Sequence, residues 1–148
     1  MAILNYISNI NANNNSGDKM KLYVYDKFNK YSNKLADKIS KYYDVKLFNI
    51  SNNTELKDIN NIAISNKNWI IEGNNNNYID IIYNLADTII FIDIKTFLSK
   101  KEIKIDEEST YLIKKHSRKI IILRSKKDVN KYLKSMYKTD IYTKLELE

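Results

Sequence analysis

Four short polar stretches each follow an apolar run in this chain: Asp26–Ser32, Glu72–Asn77, Asp93–Thr96 and Arg124–Lys127. They hold the residues best suited to chemistry. Asp26, Glu72 and Asp93 are carboxylates, and Lys27, Lys30 and Arg124 are cations, with Lys34 two residues beyond the first stretch. Asn29, Ser32 and Asn74 are neutral hydrogen-bonding groups. Lysines beside a turn reach an anion as point charges, so a phosphorylated or otherwise anionic ligand is the natural candidate. Lys30, Lys34, Glu72 and Asp93 would carry any phosphoryl transfer. That reaction rests on positioning and charge stabilisation, and few groups here serve either. Strand-end Asp and Glu more often cap the next helix.

A second set is basic. Lys114, Lys115, Arg118 and Lys119 form one cluster, and Lys126, Lys127, Lys131 and Lys134 form another. Lys127 and Lys131 stand at i, i+4 on one helix face. With Tyr132 and Tyr137 nearby, Lys114, Lys115, Arg118, Lys127 and Lys131 could follow a phosphate backbone and offer rings to bases. The plainer reading is a solvated helix face.

Composition narrows the classes. The chain has no Cys and a single His, His116, so thiolate and multi-histidine metal sites are excluded. No catalytic triad or dinucleotide fingerprint is present, and no residue is assigned a catalytic or metal-binding role. The net charge of +7 favours anionic partners. The abundance of Lys, Asn, Ile and Tyr also fits an AT-rich coding sequence. No apolar run approaches the ~20 residues of a membrane span, and the first 20 residues lack the pattern of a signal peptide. The expectation is a cytoplasmic protein with no membrane role.

These groups need a scaffold to position them. Five short, β-branched, almost continuously apolar runs cover 21–25, 45–50, 68–72, 87–94 and 119–125. Strands buried on both faces read this way. Helical stripes alternate with them: Leu35, Ile39 and Tyr42; a short helix through Ile62 capped by Ser51 or Thr54; Ile79, Ile82 and Leu85; Tyr111 and Leu112; Val129, Leu133 and Met136. The pattern predicts an α/β three-layer sandwich on a mostly parallel five-stranded sheet. Ligands in such folds bind beyond the carboxyl ends of the strands, where the four polar stretches fall. With two Gly and no Pro, turns fall to Asn, Asp and Ser. Residues 1–19 are expected to be an arm and an Asn-rich join, with an extra edge strand possible. Residues 20–144 form the single domain, and 145–148 a tail left by cloning.

The stretch "NWIIEGNNNNYIDIIYNLADTIIFIDI" resembles the P-loop proteins described as DNA topology modulation proteins, which are small adenylate-kinase-like NTPases. That family carries a "WIIDGNY" strand end, a helix and then "ADTIIFLD". The ending "KIIILRSKKDVNKYLKSM" is similar to its last strand and helix, and Leu35-Ala36 matches the "LA" of its first helix. About half of the chain takes part in the likeness. The resemblance implies a P-loop NTPase-like fold and places the phosphate loop, G-x-x-x-x-G-K-[ST], on residues 26–33, "DKFNKYSN". Asp26 and Tyr31 then stand in the places of the two glycines, Ser32 in that of the lysine and Asn33 in that of the magnesium-binding hydroxyl. An Arg-rich lid between the fourth and fifth strands is also missing.

Such a chain is expected to be a catalytically inactive, P-loop-kinase-like binding or regulatory module. It would hold no cofactor and would act on a protein or anionic partner, or on itself. One alternative is a kinase or NTPase with a changed loop, using ATP or GTP with Mg. Another is a basic nucleic-acid-binding accessory protein. Without glycine to hold an open cradle, residues 29–33 are expected to join the helix.

Overall fold

A computed structural model describes residues 20–27, 30–94 and 107–139. The proposed arm, Asn29, Thr96, Tyr137 and the tail lie outside the described residues or side chains. Five strands, β1 (Lys21–Asp26), β2 (Leu47–Asn49), β3 (Trp69–Glu72), β4 (Thr88–Ile92) and β5 (Ile120–Leu123), form one sheet in the order β2-β3-β1-β4-β5. Every pairing is parallel. The three-layer α/β sandwich expected from the sequence is therefore present.

Alternation along the strands sorts the core. Leu22, Val24, Ile70, Ile90, Ile92 and Leu123 face one side, where α1 (Ser32–Tyr43) and α5 (Lys126–Thr139) cover them. Tyr23, Tyr25, Trp69, Ile71 and Ile89 face the other. There α2 (Leu56–Ser65), α3 (Ile79–Leu85) and α4 (Glu107–Lys115) supply Ile59, Ile82, Tyr83 and Leu112. The chain crosses from β1 outward to β2 through α1 and then returns across the sheet through α2, α3 and α4. A common hand of crossover demands that this reversal change faces. The central strands β1 and β3 are buried on both faces, whereas the edge strand β2 is not, as strand position in the sheet requires.

Several side chains depart from expectation. Tyr132 is buried in the α5 face of the core and offers no ring to a base. Tyr111 is 61% exposed while its neighbour Leu112 is buried. Ser51 and Thr54 do not cap α2: Ser51 N–H donates to Thr54 Oγ1 at 2.9 Å, Asn53 N–H donates to Ser51 Oγ at 3.2 Å, and the cap position is Glu55. Lys119 belongs to no open basic patch. Its Nζ donates to the carbonyls of Tyr83 and Ala86 at 2.7 and 2.9 Å, closing the carboxyl end of α3.

The second core face is unusually aromatic. Tyr23, Tyr25 and Phe91 stack in sequence at 4.8 and 4.7 Å, and Tyr83 meets Tyr23 edge-on and Tyr25 at a tilt. The hydroxyls of Tyr25 and Tyr83 hydrogen-bond each other, and burial pushes the Tyr83 hydroxyl up to about 12. The Tyr83 phenol stays neutral, as the apolar layer demands.

One glycine is essential to this geometry. Gly73 follows β3 at φ +124°, a conformation other residues resist, and a Cβ there would lie 2.1 Å from the Ile50 carbonyl oxygen. Its N–H donates to Val24 O at 3.1 Å, and its carbonyl accepts from the buried Tyr23 hydroxyl at 2.7 Å. Gly73→Ala should destabilise the fold by at least about 2 kcal/mol, because strain and a backbone clash coincide. Urea unfolding of the two proteins measures this, and an unchanged midpoint would refute it.

Candidate functional site

The strand β1 sends its helix to one face, while its neighbours β3 and β4 send theirs to the other. The carboxyl ends of β1, β3 and β4 thus border the crevice where α/β sheets hold ligands. Asp26, Glu72 and Asp93 stand at or just beyond those ends, each no more than 6% exposed. The structure brings together Asp26 with Asn74 and Ser32 with Glu72 through hydrogen bonds. Asp93 and Arg124 meet beside them, across β4 and β5.

Asp26 governs the turn after β1. Its Oδ2 accepts the backbone N–H of Lys30 at 3.0 Å and of Tyr31 at 2.7 Å. Those two residues stay outside α1, which begins at Ser32. The expected extension of the helix through 29–33 is therefore corrected at Lys30 and Tyr31, whose N–H groups the Asp26 carboxylate holds in the turn that precedes the helix. Charge-assisted bonds of this kind are stronger than those between neutral groups.

The rest of the crevice is tied to itself. Asn74 Nδ2 donates to the Asp26 carbonyl at 2.8 Å. Ser32 Oγ donates to Glu72 Oε2 at 2.7 Å and so joins the first turn of α1 to the end of β3. Burial raises the Glu72 carboxyl above the usual range; the Ser32 hydroxyl opposes that shift and the nearby Asp26 charge adds to it. Arg124 Nη1 reaches Asp93 Oδ2 at 3.4 Å. Ser125 and Asp128 cap α5 together: Ser125 Oγ accepts Asp128 N–H at 3.1 Å, while Asp128 Oδ2 accepts Arg124 N–H at 2.9 Å.

Beside Glu72 a polar cavity of about 230 Å³ opens, edged by Asn33, Asn52 and Asn74. Its chemistry is that of acceptors and amides. Asn75, read from the sequence as loop punctuation, is a buried hub instead. Its Nδ2 donates to the carbonyls of Ser51 and Thr54, and its Oδ1 accepts Tyr78 N–H. A run of four Asn gave no signal of which one would turn inward.

The remaining candidates lie elsewhere. Lys27, Lys30 and Lys34 are exposed around the turn. Lys114, Lys115 and Arg118 sit where α4 returns to the start of β5, at the opposite end of the sheet from the crevice. Lys115 pairs with Asp80 at 3.7 Å. Lys127 and Lys131 are exposed on α5. The structure therefore separates the two basic sets. Among the described residues, no group of three or more His, Cys, Asp or Glu could hold a metal ion, and no helix is long and apolar enough to cross a membrane. Comparisons of the chain with protein-family models, curated proteins and solved structures found no match.

Two outcomes follow. Asp26→Ala should lose about 1–3 kcal/mol, since two N–H groups lose a buried acceptor; a denaturant midpoint matching the parent would contradict this. For Glu72 the folded state holds its proton more tightly than the unfolded chain. Its contribution therefore favours folding in acid and is lost as pH rises through the raised value. Glu72→Gln should be more stable than the parent at neutral pH, with the gap closing on acidification. Melting temperatures across pH 4–8 test it, and a gap independent of pH would count against it.

Proposed function

We propose that this chain is a phosphate-loop-type α/β domain that has given up nucleotide chemistry and acts as a binding or regulatory module. The observation that carries the reading is the Asp26 carboxylate on the N–H groups of Lys30 and Tyr31. In a working phosphate loop, backbone N–H groups of this turn hold the anion. Here the chain supplies its own. A phosphate brought within 4 Å of that carboxylate would meet about 4 kcal/mol of repulsion at an effective dielectric of 20. Exposed Lys30 and Lys34 return at most about 1 kcal/mol each. The balance disfavours phosphate.

The resemblance to the adenylate-kinase-like proteins supports the same reading from the sequence side, as does the loss of every signature residue over 26–33. The partner in this reading is a protein or another anionic macromolecule, and no cofactor is required. The net charge of +7 also favours an anionic surface.

Thermal unfolding with millimolar ATP, GTP, AMP or dAMP, each with magnesium, tests the proposal. A ligand at 100 times its dissociation constant stabilises a fold by about 2.7 kcal/mol. The expected result is no shift with any of them. A rise of several degrees with one nucleotide would overturn the reading and favour an enzyme with a rebuilt loop.

A further inference from the structure

A second feature opens on the outer surface of the α1 and α5 layer, starting at the turn after β1. A groove of about 260 Å³ runs between these two helices. Its floor is apolar, built from Leu35 of α1 and from Val129 and Leu133 of α5, with the Tyr31 ring at one end. Its walls are cationic: Lys34 and Lys38 stand one turn apart on α1, and Lys126 opposes them from α5. All three lysines are exposed, and none makes an ion pair with a described residue. Lys30 and Lys126 also lie 5.5 and 5.9 Å from the centre of the Tyr31 ring, which places two positive charges at the mouth of the groove.

Cations around an apolar trough ask for the complement of both. The trough has room for one or two apolar side chains, and the walls match carboxylates on either side of them. We propose that the groove between α1 and α5 docks an acidic segment of a partner protein, with Leu-like anchors flanked by Asp or Glu. Charge complementarity selects this occupant over the chain's own first 19 residues, which contain a single acidic side chain, Asp18. An apolar floor also suits a hydrophobic anchor better than a sugar–phosphate strand, which rewards exposed rings and donors. Tyr132, the ring that could have stacked bases from α5, is buried beneath the floor. The proposal is separate from the crevice. A nucleotide that stabilised the fold would overturn the reading above and leave this one standing.

The test uses the full chain and a fluorescein-labelled peptide of alternating Leu and Glu, followed by anisotropy. Lys34→Glu and Lys126→Glu are suitable variants. Each puts a carboxylate in the first turn of a helix, where the helix dipole favours it, so the fold is retained. Lys114→Glu, on the opposite face of the sheet, is the control. The expected result is saturable binding that each groove reversal weakens about tenfold, roughly 1.4 kcal/mol, and that the control leaves unchanged. Three results would overturn the proposal. One is no saturable binding, or binding lowered equally by the control. A second is tighter, strongly salt-dependent binding of a thymidine 20-mer lost on the same reversals, which would make the groove a nucleic-acid track. The third is movement of the Leu145 and Leu147 methyl signals in the peptide-free Lys126→Glu protein, which would assign the groove to the chain's own end.

Discussion

The hydrogen bonds from the N–H groups of Lys30 and Tyr31 to the Asp26 carboxylate fix the turn on which the rest of this end of the molecule depends. A chain leaving the central strand must turn into its helix, and the N–H groups exposed there need an acceptor. Glycine-rich loops meet that need with a bound phosphate. This loop has no glycine and meets it with a side chain from the end of the strand itself. Once the turn is set, Ser32 stands at the start of α1 and reaches Glu72, and Asn74 closes on the Asp26 carbonyl. Gly73 lets the chain leave β3 at the angle that brings Asn74 there. The turn after β1 and the end of β3 are thus held by the crevice's own polar groups, beside the open cavity at Glu72.

This distribution of polar partners divides the molecule functionally. At the crevice, donors and carboxylates are matched to each other, and an incoming anion must displace a bonded carboxylate. On the α1 and α5 surface, three lysines around an apolar floor have no acidic partner among the described residues. Internal satisfaction favours rigidity, whereas unmatched charge around an apolar groove favours association with a complementary charge. The carboxyl ends of the strands shape the scaffold, and the helical face presents it.

Much of the scaffold is legible in the sequence because burial on both faces writes itself as continuous β-branched runs, as in "WIIE" and "TIIFI". The parallel five-stranded sheet follows from runs of that kind alternating with helical stripes. The crevice residues Asp26, Ser32, Glu72 and Asn74 could be nominated from their places after strands. Their pairing could not, because hydrogen bonds between residues 40 or more positions apart depend on which strands are neighbours. Tyr132 illustrates the same limit. An amphipathic ring on a lysine-rich helix reads equally well as surface or core, and only the close approach of α5 to the sheet decides it. Lys119 was hidden for a related reason: the carbonyls it caps belong to a helix more than 30 residues earlier.

The most direct measurement compares the backbone amide signals of Lys30 and Tyr31 in the parent protein and in Asp26→Ala by two-dimensional NMR. If the Asp26 carboxylate is the anion of this turn, its removal will move both amide protons upfield as they lose their acceptor. Millimolar phosphate at neutral pH will leave both signals of the parent in place. Amide protons that ignore the substitution, or that shift with phosphate in the parent protein, would contradict the account.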